Sequence, residues 1–112
     1  MTRHKIVLVR FPFDDLSSTK VRPALCLTEP LGARRYIIVA FISSRVPETI
    51  ETTDVVIDDQ HTDFPQTGLH VTSRISLQRV LSVPENLILR ELGILPEPFQ
   101  EQIKSKLLAL LF

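Results

Sequence analysis

The chain has 112 residues, of which 44% are hydrophobic, and this length allows one domain with a small core. Its 13 Lys and Arg residues balance 13 Asp and Glu residues, so the overall charge indicates no particular partner. A single cysteine, Cys26, excludes an intrachain disulfide and a zinc site built from several cysteines. No apolar run approaches the roughly 20 residues that span a bilayer, and no signal-peptide pattern is present, so we expect a soluble cytoplasmic protein.

Charge is unevenly distributed along the chain. Residues 1–45 carry eight Lys or Arg against three Asp or Glu, a net charge of +5, whereas residues 46–112 carry five against ten, a net charge of −5. If the basic half forms one face, that face is suited to bind an anion. The alternative is that these charges are interspersed over the surface without forming a patch.

The first part of the chain predicts strands separated by turn residues. Residues 5–10 are apolar and β-branched, as is typical of a core strand, and Pro12 with the following polar residues ends them. Residues 23–28 form a second apolar run, and residues 35–42 form the strongest strand pattern in the sequence. Short turns between the three runs predict an antiparallel meander.

The middle of the chain continues this strand pattern. Residues 54–58 predict a short strand at a sheet edge, and the following loop has Gly68 as its turn residue. Residues 74–82 alternate in polarity, which predicts a half-buried strand. In that strand Ile75 and Leu77 should face one side, and the other side should carry Ser76, Gln78 and Val80. Residues 87–92 fit a helix or a strand, and we favour a strand that ends near Gly93.

The C-terminal segment predicts an amphipathic helix over residues 97–110. Pro96 and Pro98 suit a helix start, and the acidic residues beside them suit the positive end of the helix dipole. Helical spacing places one apolar face on Phe99, Ile103, Leu107 and Leu110. The sequence therefore predicts a mainly β protein, with β-strands followed by a C-terminal α-helix. A small antiparallel barrel with the helix across it is the simplest way to bury this pattern.

Few residues in this sequence form a recognisable catalytic or metal-binding pattern. The three histidines, His4, His61 and His70, lack metal-ligand spacing, and the chain has no glycine-rich phosphate loop. Cys26 lies inside a predicted strand and reads as a small buried hydrophobe. We therefore predict neither a metal nor another cofactor.

The pair Arg22–Pro23 stands where the second strand should begin. Proline has no N–H to donate, so it suits the first residue of a strand, and it favours an extended backbone at Arg22. A guanidinium fixed at the rim of a sheet can hold a phosphate through two parallel hydrogen bonds. Ser43 and Ser44 lie where the third strand leaves the sheet, within reach of the same anion. The alternative is that Arg22 is a surface arginine and that Ser43 merely ends a strand.

Three segments together resemble the MazF/PemK family of toxin endoribonucleases from type II toxin–antitoxin systems. "IVLVRFPFDDLSSTKVRPALCLT" resembles the opening of that family, in which a strand, a polar loop and an Arg-Pro strand follow one another. "VAFISSR" resembles its next element, where Ser or Thr occupies the place of Ser43. "SRISLQRVLSVPENLILRELGIL" is similar to its later segment. The resemblance covers nearly the whole chain, in order and with matching spacing.

This resemblance implies an SH3-like antiparallel β-barrel with a terminal helix, assembled as a homodimer. It also implies metal-independent cleavage of single-stranded RNA in the cytoplasm, blocked by a cognate antitoxin protein. Arg22 and Ser43 match the catalytic positions of the family. The RNA 2′-OH would attack the adjacent phosphate, Arg22 would stabilise the charge that develops there, and Ser43 would orient the phosphate. We assign RNA binding to Ser17, Ser18, Thr19, Lys20, Ser44, Arg45, Ser76 and Gln78.

The sequence departs from the family pattern at several positions. Ser76 and Gln78 replace an Arg and an Asp to which acid–base roles have been assigned in some members, and neither side chain exchanges protons at neutral pH. His4 and Lys5 replace a Gly-Asp pair. Two alternatives therefore stay open beside the nuclease: a catalytically weakened barrel that binds RNA or an antitoxin, and a barrel that poisons a protein target such as DNA gyrase.

Overall fold

The computed structural model describes residues 1–11 and 20–112 of the chain. The described strands are β1 (Lys5–Phe11), β2 (Lys20–Cys26), β3 (Tyr36–Ser43), β4 (Asp54–Ile57), β5 (Ser73–Pro84) and β6 (Ile88–Ile94). They are followed by one helix, α1 (Glu97–Leu111). Two short 3₁₀ helices, at Phe64–Thr67 and Glu85–Leu87, precede β5 and β6. No helix in these ranges is long and apolar enough to cross a membrane.

The six strands form one antiparallel sheet in the order β4-β5-β3-β2-β1-β6. The predicted meander of β1, β2 and β3 is confirmed, since β1 pairs with β2 and β2 pairs with β3. The mainly β class with a terminal helix is also confirmed. Within the described ranges, however, β4 and β6 remain the two edges, so hydrogen bonds do not close the sheet into a complete barrel.

Both faces of the curled sheet carry apolar side chains. One cluster combines strand residues such as Leu25 and Ile75 with the buried helix residues Phe99 and Ile103. A second cluster lies on the opposite face and contains Val7, Val9, Ala24, Cys26, Ile37, Val39 and Val83. Alternation along β2 explains this division, because Leu25 points to one face and Ala24 and Cys26 to the other.

The helix packs its first two turns, but not its last, against the sheet. Phe99 and Ile103 are 5% and 4% exposed, and Leu107 packs at the margin of the same cluster, as the spacing predicted. The prediction that Leu110 completes this seam is wrong, because its side chain is 42% exposed. The helix leaves the core about one turn before it ends, so Leu110 has no sheet surface beneath it.

The start of β2 differs from the sequence prediction, whereas the end of β6 agrees with it. β2 begins at Lys20, so Arg22 and Pro23 lie inside a strand that pairs with β1 rather than at its start. Pro23 is tolerated there because the ladder to β3 begins only at Ala24. The N–H that proline lacks would therefore have had no hydrogen-bond partner on β3. β6 ends at Ile94, one residue beyond Gly93, which confirms the predicted strand; Gly93 itself lies inside β6 for a packing reason given below.

Candidate functional site: an arginine-lined cleft

The register of β2 and β3 brings Arg22 and Ser43 to the same end of the sheet. The last paired residues there are Ala24 and Phe41, and two further positions along the antiparallel strands lead to Arg22 and Ser43. Ser43 is paired on its other side with Arg74 of β5. Directly opposite residues in a sheet point to the same face, so the register assigns these three side chains to one face.

A cleft of about 950 Å³ opens at this end of the sheet. Arginine dominates its charged lining, which comprises Arg22, Arg45, Arg74, Arg79, Arg90 and one histidine, His70. Ser43, Ser44 and Ser73 add hydroxyl groups, and Leu8, Leu69 and Leu92 are among the apolar lining residues. Among the described residues no Asp or Glu lines the cleft, so a chain with no net charge presents a strongly positive concavity.

The guanidinium of Arg74 forms an ion pair with a buried carboxylate. Its Nη1 lies 3.4 Å from Oδ2 of Asp54, and the Asp54 side chain is only 4% exposed. Asp54 also accepts a hydrogen bond from the backbone N–H of Glu51, at 3.2 Å. The buried Nε of Arg74 has no hydrogen-bond partner within the described part of the chain. One edge of the guanidinium is therefore fixed by Asp54, and Arg74 still adds positive charge to the cleft.

The helix helps to fix the strand that carries Asp54. Lys106 of α1 donates hydrogen bonds from Nζ to the backbone oxygens of Thr52 and Asp54, each at 2.9 Å. A charged group thereby satisfies two carbonyl groups at the start of β4, which is an edge strand. This contact connects α1 to Asp54 and, through Asp54, to Arg74.

A β-bulge in β5 places Arg79 at the cleft. Ala40 pairs with Val80, but the next residue of β3, Phe41, pairs with Ser76, so residues 77–79 are extra on the β5 side. Bulges bend a strand and redirect its side chains. The Arg79 guanidinium lies over the Phe41 ring, 5.4 Å from the ring centroid, and this cation–π contact holds it at the cleft.

Two glycines that pack against neighbouring backbone fix the segment that leads to His70. Gly68 has a φ of +72°, and a Cβ built on it would lie 2.0 Å from the backbone oxygen of Leu92. A Cβ on Gly93 would lie 2.2 Å from the backbone oxygen of Gln66. The 3₁₀ helix thus packs directly against β6, which explains Gly93 inside a strand.

The structure brings some of the predicted site residues together and leaves others apart. Arg22, Ser43, Ser44 and Arg45 all line the cleft. Ser43 Oγ accepts a hydrogen bond from the backbone N–H of Arg45, at 3.1 Å. The predicted contacts of Ser17, Ser18 and Thr19 lie outside the described residues, as does the side chain of Lys20.

Ser76 and Gln78 do not line the cleft. Ser76 is 7% exposed and is paired with Phe41 on one side and Asp54 on the other. Gln78 donates from Nε2 to the Thr53 hydroxyl, at 2.7 Å. Their assignment to RNA contacts rests on the family resemblance, and the bulge at residues 77–79 interrupts the alternation predicted for residues 74–82.

The sequence prediction also missed the four other basic residues of the lining: Arg74, Arg79, Arg90 and His70. The three arginines belong to residues 46–112, whose net charge is −5, so the net charge of each half of the chain gave no indication of them. Arg74 and Arg79 flank the segment "ISLQ", and only the bulge brings Arg79 to the cleft. His70 carries no motif, and its position depends on the packing of Gly68 against β6.

The described residues contain no group of three or more His, Cys, Asp or Glu side chains arranged to hold a metal ion. Cys26 is fully buried, and burial raises the pKa of its thiol to about 11. A thiol in this state is a poor nucleophile at neutral pH, in agreement with its interpretation as a core residue.

Three solved structures similar to this chain are all of mycobacterial origin. "Mycobacterium tuberculosis toxin MazF-mt6" has 22% identity and a TM-score of 0.66, and the match covers 91% of this chain and 90% of that one. "Endoribonuclease in complex with its cognate antitoxin from Mycobacterial species" has 15% identity and a TM-score of 0.67, with 97% and 92% covered. "Crystal structure of Mtb toxin" has 19% identity and a TM-score of 0.66, with 94% and 98% covered. At these identities the likeness shows the fold.

No curated protein matches the chain. A family model does match, and it spans residues 2–111, nearly the whole length. It therefore includes both strands that carry Arg22 and Ser43, as well as the segment from β5 through α1. The chain belongs to the PemK-like, MazF-like toxins of type II toxin–antitoxin systems.

Proposed function

We propose that this chain is a toxin endoribonuclease that cleaves single-stranded RNA, mRNA above all, in the cytoplasm. The observation that carries the proposal is the cleft in which five arginines surround Ser43 and no described carboxylate contributes to the lining. The phosphodiester backbone of a nucleic acid is the kind of ligand that such a surface fits. Membership of the toxin family and the likeness to a structure described as an endoribonuclease support the same conclusion.

Arg22 and Ser43 are the catalytic residues of this proposal. The reaction begins when the RNA 2′-OH attacks the adjacent phosphorus, and it leaves a 2′,3′-cyclic phosphate and a 5′-OH end without a metal ion. Arg22 stays charged throughout and stabilises the negative charge that develops on the phosphate oxygens. Ser43 Oγ already accepts a hydrogen bond from Arg45, so its own O–H is left to donate to a phosphate oxygen.

The remaining arginines bind and orient the substrate rather than react with it. Arg45 lies beside Ser43, and Arg74 and Arg79 extend the positive surface along β5. Ser44 and the segment of Ser17, Ser18, Thr19 and Lys20 complete the proposed RNA-binding surface. Because each neutralised phosphate releases counterions, RNA affinity should fall steeply as salt rises.

Incubation of the purified protein with a long single-stranded RNA in EDTA tests the activity. Fragments with 2′,3′-cyclic phosphate ends are expected. Arg22→Ala should reduce the cleavage rate by about 100- to 1000-fold, as expected for the loss of a charge-stabilising donor. Arg34→Ala is the matched control, because Arg34 is an exposed arginine outside the cleft lining. Equal cleavage by the Arg22→Ala variant and the parent would remove Arg22 from the mechanism.

A cognate antitoxin is the second part of the proposal. A disordered antitoxin segment would fold over the cleft, with acidic side chains against Arg22 and Arg45 and apolar ones in the groove. Co-expression with the protein encoded by the adjacent gene should give a complex that weakens with salt. Hydrogen exchange should show protection at the cleft. Protection confined to residues 85–112 would contradict this placement.

A symmetric homodimer is the third part. Exposed apolar side chains of the single chain, among them Leu108, Leu111 and Phe112 at the end of α1, would gain from cover by a second copy. Light scattering at micromolar concentration should give twice the chain mass of 12.7 kDa. A monomer mass would contradict the assembly without affecting the test of cleavage.

A further inference from the structure

RNA cleavage by the 2′-OH requires a group that takes up the 2′-OH proton. Ser76 and Gln78 cannot serve, since neither side chain accepts a proton at neutral pH and neither lines the cleft. The five arginines of the lining stay protonated, and its serines are not bases near pH 7. Among the described lining residues this leaves His70, because histidine is the side chain that ordinarily exchanges a proton in this pH range.

The two other histidines lie outside the cleft lining. The His61 ring packs against Phe99 in a tilted arrangement, with 4.8 Å between centroids, and its Nδ1 accepts a hydrogen bond from the backbone N–H of Asp63. His4 lies outside the cleft lining, and burial together with the nearby charge of Arg3 lowers its pKa. By contrast, the exposed imidazole of His70 makes no hydrogen bond or ring contact with the described residues.

The backbone around His70 is fixed although the imidazole is exposed. Gly68 packs against the backbone of Leu92, and the Thr67 hydroxyl accepts a hydrogen bond from the N–H of Leu69, at 3.1 Å. The same hydroxyl donates to the backbone oxygen of Phe64, at 2.8 Å. Leu69, His70 and Val71 all line the cleft. The imidazole is thus carried on an anchored segment at the arginine-lined surface.

We propose that His70 is the catalytic base of this cleft, an inference that rests on the proposed nuclease function. Neutral His70 takes the proton of the 2′-OH while the bond from O2′ to phosphorus forms. The bond from phosphorus to O5′ breaks, and O5′ takes a proton from solvent water. His70 then returns its proton to solvent. No oxidation occurs, and the RNA is divided into a cyclic phosphate end and a 5′-OH end.

Charged groups surround this base unequally. Arg22, Arg45, Arg74, Arg79 and Arg90 line the same cleft, and Asp54 lies beneath it in contact with Arg74. Protonation at low pH removes the base, so the cleavage rate should fall on the acid side of its pH profile.

The test compares His70→Gln and His70→Gly with His4→Asn as a control. Asparagine suits the positive φ of 76° at His4, and His4 is outside the cleft. His70→Gln should cut about 100- to 10,000-fold more slowly than the parent, and the acid limb of its pH profile should disappear. Added imidazole should restore cleavage by His70→Gly in proportion to its concentration. His4→Asn should cut like the parent.

A binding measurement separates catalysis from substrate affinity. An RNA oligonucleotide with 2′-O-methyl groups cannot be cleaved, and the His70→Gln variant should bind it as the parent does. Full cleavage by His70→Gln with an unchanged pH profile would overturn the assignment, and so would a loss explained entirely by weaker binding. Rescue of His70→Gln by a substrate with a 5′-sulfur leaving group would also overturn it, since that result identifies a general acid. If the parent itself cuts no RNA, the proposed function fails instead.

Discussion

Arg22 and Ser43 stand on neighbouring strands, two positions beyond the last β2–β3 pair of Ala24 and Phe41, and both line the arginine cleft. Twenty residues of sequence separate them, and the antiparallel meander brings them together because the start of one strand faces the end of the next. The hydroxyl of Ser43 also stabilises the chain that follows β3, since it accepts a hydrogen bond from the backbone N–H of Arg45. One small side chain thus serves both the backbone and the proposed substrate.

Replacement of Ser43 should therefore affect cleavage more than folding. We expect Ser43→Ala to cut RNA about 100-fold more slowly, because a donor to the phosphate is lost. Ser43→Thr keeps the hydroxyl and suits a strand, so it should retain most activity. Ser105→Ala, an exposed serine on α1, is the control. Steady-state cleavage rates and thermal unfolding measure the two effects, and a Ser43→Ala variant as fast as the parent would contradict the role.

Much of the fold could be predicted from the sequence because its signals are local. Period-two apolar runs identified the strands, and the spacing of Phe99, Ile103 and Leu107 identified the helix. The bulge at residues 77–79 could not be predicted, because it depends on how β3 and β5 share their register. The assignment of Ser76 and Gln78 to RNA contacts rests on the family resemblance, and in the structure Ser76 is buried and Gln78 donates a hydrogen bond to Thr53.

The sequence predicts only the part of the cleft lining that comes from β2, β3 and the residues after β3, for the same reason. Arg22 and Ser43 stand in recognisable motifs, and their meeting requires only adjacent strands. Arg74, Arg79 and Arg90 come from β5 and β6, and His70 comes from the loop before β5. Their approach to Arg22 depends on long-range pairing and on the contact between Gly68 and Leu92, neither of which has a local sequence signal.

The contact of Asp54 with Arg74 should be important for stability. Asp54→Ala leaves a partly buried guanidinium, with a side chain 23% exposed, without its carboxylate. Removal of one member of a buried ion pair costs about 3–5 kcal/mol, and the partial exposure of Arg74 places the expected loss near the lower value. Chemical unfolding measures this loss, with Glu48→Ala as an exposed control. A change of equal size in both variants would show that the pair contributes nothing specific.

Two lysines on α1 provide a matched comparison for the link between the helix and β4. Lys106→Met removes the two hydrogen bonds to the oxygens of Thr52 and Asp54, while Lys104→Met changes an exposed lysine on the same helix. We expect Lys106→Met to lower the free energy of unfolding by about 1.5 kcal/mol, because one of its bonds is solvent-exposed. Lys104→Met should have little effect. Equal unfolding midpoints for the two variants would argue against the link.

Gly93 should tolerate alanine less well than Gly32, although only Gly32 has a positive φ, of +69°. At Gly32 the added Cβ meets nothing within 4 Å, so the cost is backbone strain of about 1–2 kcal/mol. At Gly93 it would lie 2.2 Å from the Gln66 oxygen and 2.5 Å from the Thr67 carbonyl carbon, both backbone atoms. Separation of the 3₁₀ helix from β6 should then cost about 3 kcal/mol. If Gly93→Ala and Gly32→Ala lost similar free energies of unfolding in urea, β6 and the 3₁₀ helix would not be in close contact at Gly93.

Cys26 should be protected from thiol reagents in the folded protein. Its side chain is fully buried, and burial raises its pKa from 9.0 to about 11. At pH 7.5 this shift alone reduces the reactive thiolate about 100-fold, because the thiolate fraction falls tenfold for each unit by which the pKa rises. Burial slows access further, so iodoacetamide should modify the native protein more than about 100-fold more slowly than the unfolded protein. Ser105→Cys combined with Cys26→Ala supplies an exposed thiol as the control. If native Cys26 reacted as fast as that exposed thiol, Cys26 could not be a core residue, and the packing of β2 against its neighbours would need to be revised.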